Sequence, residues 1–588
     1  LLPADCQARW SASTNSFWKA GLPDRAGQGP RRIHAPEQIN RDGRNAVADS
    51  YDYIVIGAGS SGAVVAARLS EDKDARVLLL EAGGRDNHPF QVMPLAFLRV
   101  VASDRFNWKF ESEPEPYLNN RRLEIPRGKT LGGSSSINAL MYIRGNPMDY
   151  DLWRQQGCEG WGYRDVLPYF RKLETSWRGE SEYHGASGPV RTEPVDFPDM
   201  LFEDFRKATE AAGIPYNEDP NGPVQDGFAR MEQNTFEGRR TSTARAYLHP
   251  AMGRQNLVIE TGALTSRIIV ENHRARGVEY IKHGQKKTAF ADGEVILCGG
   301  SYNSPQLLML SGIGPADHLK ETGIPVIHDM PGVGQNLSEH PNMLTVAGIR
   351  EDIGLTRQLR LDRATFGVMR WLMKQDGAFS TNGAATHTFL RTREGLARPD
   401  SQIVFITLNN RANLWFPGLT KKPQWCITAR VGGPLNPLSR GWVKLRSANP
   451  EDHPRIQFNM FQERADMDTM IRAIKRCRDI YAQKSLADYI THEIAPGDDC
   501  KTDAELEANI RANAAHRSHP CGTCKMGIDD MAVVDPQLRL RGIDGLRIAD
   551  ASIMPEVIAG NTNTPCMMIG EKCADMVRGT APAETQAA

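Results

Sequence analysis

Two rhythms of apolar and polar positions run along this chain. A solid apolar run at Tyr53–Ile56 breaks at Gly57-Ala58-Gly59-Ser60-Ser61-Gly62, and an Ala/Val-rich stretch follows from Ala63 to Leu69. A second solid run, Val77 to Leu80, ends on Glu81. Short continuous apolar runs bounded by glycine fit buried strands, so the order predicts strand, glycine turn, helix, strand, acid. Further strands are predicted at Asn256–Glu260, Arg267–Val270, Gly277–Tyr280 and Gly293–Cys298. The last runs into a small-residue turn, with Pro305 near the first turn of a helix over Gln306–Leu310. From about 346 to 515 glycine turns thin out and aromatics increase, with apolar runs at Ile403–Leu408 and Trp425–Thr428 and a long helix at Arg464–Gln483. The first style returns at the end: a strand over Gly545–Ala549 meets Asp550, and Asn563 opens an apolar helix.

The opening unit has the order that a dinucleotide site requires. Gly57 permits the tight turn, Gly59 lets backbone approach a pyrophosphate, and Gly62 lets helix and strand pack closely. The helix N-terminus offers free N–H groups and partial positive charge to phosphates. Glu81, 24 residues after Gly57, is spaced to accept hydrogen bonds from a ribose. A second small-residue stretch, RGKTLGGSSSIN at 127–138, can lie flat against a planar ligand.

Composition narrows the function. A chain of 588 residues exceeds a single simple domain. Its 71 basic and 71 acidic residues cancel, which gives no electrostatic case for nucleic acid or an anionic membrane. No run of about 20 apolar residues predicts a transmembrane helix. Ten scattered cysteines argue against a disulfide scaffold, and Cys521-Gly-Thr-Cys524 lacks a second pair to complete a zinc site, so no metal is expected. Residues 1–50 carry little periodicity and lack the apolar core of a secretory leader. They are expected to be a poorly packed extension of a cytoplasmic protein, with a peripheral seat at the inner membrane as the alternative.

Four stretches together resemble the glucose-methanol-choline family of flavoprotein oxidoreductases. They are GAGSSG at 57–62, RGKTLGGSSSIN at 127–138, GSYNSPQLLMLSGIG at 300–314, and HPCGTCKMG at 519–527 with GNTNTP at 560–565. ESEPEPYLNNRR at 111–122 and IADASIMP at 548–555 have the look of the choline dehydrogenase group. The resemblance implies an α/β fold, with a discontinuous Rossmann-like FAD-binding domain and an inserted α+β substrate domain on an antiparallel sheet. The expected limits are an extension at 1–50, the main FAD part at 51–345, the substrate domain at 346–515, a return to the FAD domain at 516–578 and a tail at 579–588. FAD rather than NAD is implied, held by Gly57, Gly59, Ser60, Ser61, Gly62, Glu81 and Ala82. Gly132, Gly133, Ser134, Asn138 and Ala139 should line the flavin. Leu264 should meet the adenine, and Asp550 and Ala551 the ribityl and pyrophosphate.

The family resemblance makes His519 the base of an alcohol oxidation, and an imidazole suits proton transfer near neutral pH. Its partner is expected at Asn563, whose amide would donate to the developing alkoxide, with Asn561 as the rival. The expected product is an aldehyde from a choline-like or other primary alcohol, with electrons leaving to an acceptor other than NAD. An oxidase giving hydrogen peroxide, or a non-redox lyase of the same family, are the alternatives. Some members bind FAD covalently through a His before the matching Asn. Here that position is Ile137, so FAD is expected to be non-covalent. Two departures stand out. Ser338-Glu339-His340 replaces a common Gln-Asp-His, with no functional change expected. The segment 429–441, ARVGGPLNPLSRG, departs from the shorter family pattern and weakens the case for choline itself.

Overall fold

The structure, a computed structural model, describes residues 50–350, 353–408 and 413–580. The expected extension and tail therefore fall almost wholly outside the described residues. The apolar runs of the opening unit become β1 (Ser50–Ile56), α1 (Gly62–Leu69) and β2 (Val77–Glu81). Next come β3 (Gly227–Arg230), β4 (Leu257–Thr261), β5 (Ala263–Glu271), β6 (Arg274–Lys282), β7 (Gln285–Leu297) and α2 (Gly300–Leu310). They are followed by β8 (Pro341–Ile349), β9 (Thr386–Leu390), β10 (Ser401–Ile406), β11 (Cys426–Gly432) and α3 (Arg464–Tyr481). The elements that complete the site are β12 (Ile490–Ala495), β13 (Ala515–His516), β14 (Leu546–Ile548) and α4 (Asn563–Arg578).

One sheet has the order β4-β2-β1-β7-β6-β5, with β14 beside β7. Its β4, β2, β1, β7 and β14 run parallel, and β5, β6 and β7 form an antiparallel meander. Val55, Leu79 and Ile296 are fully buried, as parallel strands covered on both faces must be. Each such side chain contributes about 1.5–3 kcal/mol on burial. Ile56 is level with both Leu80 and Leu297, so the turns after β1, β2 and β7 open at one edge. Ligands of open parallel sheets bind at that carboxyl edge. Helices α1 and α4 pack against each other, joined by an Arg68 Nη2–Glu571 Oε1 ion pair at 2.8 Å.

The second sheet has the order β12-β8-β11-β10-β9-β3, with β13 beside β8, and all of its pairings are antiparallel. Strand β3 joins it from residues 227–230, upstream of the stretch in which sequence periodicity shows the sheet. Four residues with Gly227 at one end carry too short a pattern to read as a strand. Helix α3 covers this sheet with Met467, Met470, Ile474 and Cys477, spaced three or four apart on one face. Among the described residues, no helix is long and apolar enough to cross a membrane.

Candidate active site

The glycine turn after β1 builds one end of a long cleft. Gly57 takes φ +96°, a conformation that a side chain resists, and a Cβ there would come 2.6 Å from the Cys298 carbonyl oxygen. A side chain at Gly62 would overlap the Gly57 carbonyl, so α1 starts hard against the turn. The 127–138 stretch lies on this turn: Gly132 N–H donates to Ala58 O at 2.8 Å, and Gly133 packs on Gly59. Glu81 accepts N–H bonds from Ala58 at 2.9 Å and Gly83 at 2.7 Å. Asp550 Oδ2 accepts from Gly300 N–H at 2.9 Å and Ser304 Oγ–H at 2.6 Å, which ties the start of α2 to β14.

The cleft is lined by Gly57, Gly59, Ser60, Ser61, Glu81, Ala82, Gly133, Ser134, Asn138 and Ala139, and by Leu264, Asp550 and Ala551. Gly62 and Gly132 stand behind its wall. At its far end the cleft reaches His519 and Asn561. The pairing of β13 with β8 brings that end together. Arg517 N–H donates to His340 O at 3.0 Å, and Ser338 and Cys521 exchange two backbone bonds of 3.0 Å. His340 and His519 therefore face each other, Nδ1 to Nδ1 at 2.9 Å.

The hydrogen bonds fix both tautomers. His340 Nε2 lies 2.8 Å from Leu435 O, and a carbonyl only accepts. The His340 proton is thus on Nε2, its Nδ1 is a lone pair, and His519 Nδ1–H donates to it. His519 Nε2 is left as a lone pair, 2.9 Å from Asn561 Nδ2. Asn563 lines the same cleft but faces another partner: as the first residue of α4 its amide oxygen accepts Ser60 Oγ–H at 2.7 Å, on the glycine turn. The structure brings Asn561, and not the expected Asn563, to the imidazole, because the loop before α4 turns toward β13 while the helix start turns toward α1.

The GMC oxidoreductase family model matches residues 51–342 and its C-terminal counterpart matches 437–570. The chain belongs to the GMC oxidoreductase family. This GMC oxidoreductase is 44% identical over 541 residues to the mitochondrial choline dehydrogenase of Homo sapiens, covering 90% of each chain. It is 46% identical over 537 residues to the oxygen-dependent choline dehydrogenase of Burkholderia cenocepacia, covering 90% of this chain and 94% of the relative. Among solved structures it resembles the pyridoxine 4-oxidase of Mesorbium loti, with TM-score 0.80 and 30% identity over 90% of this chain and 99% of that one. A formate oxidase variant of Aspergillus oryzae gives TM-score 0.84 and 27% identity over 91% and 99%.

As a GMC oxidoreductase the chain is an FAD-dependent enzyme acting on CH–OH donors. Its cleft fits FAD. The backbone at Gly59, on the glycine turn, faces open space where a Cβ would meet nothing within 4 Å, which leaves room for a pyrophosphate against it. Glu81 keeps lone pairs free of its two N–H donors for ribose hydroxyls, although burial pushes its carboxyl up to about 7.

Burial, then the positive charges of Arg517, Arg127 and Arg430 and the neighbouring His340, hold His519 well below its ordinary range. His340 is pushed down to about 3, first by burial and then by Arg517. Both imidazoles are neutral at neutral pH, as the tautomer argument requires. Cys521 and Cys524 are buried free thiols, pushed up by burial, and lie beside the base. Among the described residues, no cluster of His, Cys, Asp and Glu can hold a metal ion.

Sequence reasoning passed over Glu339 and His340. Glu339 Oε1 accepts the backbone N–H of His519 at 2.7 Å and that of His340 at 2.9 Å, so this motif holds the imidazole pair from behind. The one available signal was the Ser-Glu-His departure itself.

Proposed function

We propose that this enzyme oxidises a primary alcohol to an aldehyde, with His519 as base and Asn561 as the donor to the developing alkoxide. The observation that carries this reading is the His519 Nε2 lone pair, aimed into the cleft beside the Asn561 amide. Bound FAD supplies the hydride acceptor. The substrate hydroxyl enters between His519 Nε2 and Asn561 Nδ2 and replaces their mutual bond. Its O–H donates to Nε2, and its oxygen accepts from Nδ2–H as negative charge grows on it. A donor preorganised for that charge is worth about 10²–10³ in rate. His340 accepts Nδ1–H throughout, so the proton is taken at Nε2 alone.

The relatives named for choline support a small alcohol of that size, and the one dinucleotide fingerprint in the sequence, at 57–62, supports an acceptor other than NAD. A second reading, an oxidase, is favoured by the oxidases among the solved neighbours and by the oxygen-dependent name of the bacterial relatives. Hydrogen peroxide formed with substrate in air decides for it. The free Nε2 lone pair favours alcohol oxidation over a lyase. Ile137 has no nitrogen to bond the flavin, so acid precipitation should release FAD into the supernatant.

The test is anaerobic mixing of the holoenzyme with primary alcohols. Loss of oxidised-flavin absorbance with matching aldehyde is expected. No bleaching by any primary alcohol would refute the reading.

A further inference from the structure

Resting on that reading of His519, the substrate end of the cleft carries an unanswered charge. Arg430 of β11, Arg517 next to β13 and Arg127 all line it beside His519. Among the described residues, none of the three forms an ion pair. Among the described residues, the Arg430 guanidinium has no hydrogen bond, and that of Arg517 has a single long one, from Nη1 to Gln402 O at 3.4 Å. Arg127 donates to two backbone carbonyls, those of Pro126 and Ser518, each at 2.9 Å. Arg517 is buried, and a buried cation without a partner is costly.

The nearby acid does not balance them. Glu339 is buried, its Oε2 lacks a hydrogen-bond partner, and burial pushes the carboxyl up to about 8, so it carries little charge at neutral pH. Glu124 also lines the cleft, but its side chain is exposed, where water and salt screen its charge. The cations are built in: Gly432 leaves the space that the Arg517 guanidinium fills, and a Cβ there would overlap it.

Like charges at this end oppose a cationic alcohol. Of the aromatic side chains lining the cleft, Trp108 already has Phe110 stacked at 5.6 Å and Lys129 Nζ 4.3 Å from its ring centroid, and Tyr302 packs against Phe110 at 5.9 Å.

We infer that the alcohol oxidised here carries an anionic group, most simply a carboxylate, which Arg430 and Arg517 hold while its carbinol meets His519 and Asn561. The substrate class is then a hydroxycarboxylate with a terminal CH–OH. Its product is the aldehyde acid, with the hydride passing to FAD and the proton to His519. The anion also offsets the charges that hold the His519 imidazole down, so binding makes the base stronger when it is needed.

The test compares β-hydroxypropionate, n-propanol and choline as reductants of the anaerobic holoenzyme. It adds titration with propionate, a dead-end probe that needs no chemistry, followed by the flavin spectrum. Expected are a β-hydroxypropionate to choline ratio in kcat/KM of about 10² or more, the scale of charged hydrogen bonds, and saturable propionate binding that competes with substrate. Arg430→Gln should lower that ratio at least tenfold and weaken propionate binding. Gly432→Ala, which displaces Arg517, should do the same by a second route. Choline matching or exceeding β-hydroxypropionate, or no propionate binding, would overturn the inference. So would variants that slow all three alcohols alike, since the arginines would then serve FAD. Bleaching by n-propanol reports on the His519 reading separately, so the two can fail independently.

Discussion

The imidazoles of His340 and His519 meet Nδ1 to Nδ1 at 2.9 Å, with ring planes at 90°. Because Leu435 O takes the only proton of His340, this contact sets which nitrogen of His519 is free. Two histidines 179 positions apart thus define one proton acceptor.

Removing that contact frees the wrong tautomer. His340→Ala is expected to slow flavin reduction by about 10²-fold, the lower range for general acid–base catalysis. Reduction at saturating alcohol should show it, with KM little changed and FAD retained. A wild-type rate would show that the tautomer is set by something else.

The two asparagines at the entry to α4 should separate cleanly. Asn561→Ala is expected to cost about 10²–10³ in the reduction rate. Asn563→Ala removes the acceptor of the Ser60 hydroxyl on the glycine turn, so it should lower the FAD-to-protein ratio more than the rate. Stopped-flow reduction and flavin content together check both.

Glu339 gives the pH dependence a sign. Its carboxyl, pushed up to about 8 by burial, ionises as pH rises through that value. A negative charge bonded to the His519 backbone N–H favours the imidazolium that forms on proton transfer, so the reduction rate should rise through about pH 8. Glu339→Gln fixes the group neutral and should flatten this limb. An unchanged rise in Glu339→Gln would exclude Glu339 as its source. His519 itself, held below its ordinary range, stays unprotonated at neutral pH and should add no limb there.

Much of this was legible in the chain. The unit from Tyr53 to Glu81 is local: a solid apolar run, a glycine at φ +96° and an acid at a strand end follow from neighbours in sequence. Helix α3 was legible because its apolar face repeats for eighteen residues. What escaped depends on pairing between distant segments. Strand β3 is too short to show a period and takes its place only through β9. Asn561 and Asn563 sit two residues apart in the same polar context, and only the direction of the loop separates their roles. Glu339 and His340 gain theirs through the pairing of β8 with β13, and the Arg430–Arg517 pair depends on β11 and the end of β13 lining one cleft.

The most direct measurement is anaerobic stopped-flow reduction of His519→Ala holoenzyme by a primary alcohol that bleaches the wild type. FAD bound at the wild-type ratio and reduction slowed by about 10²–10⁴-fold are expected. Reduction at the wild-type rate would contradict His519 as the base.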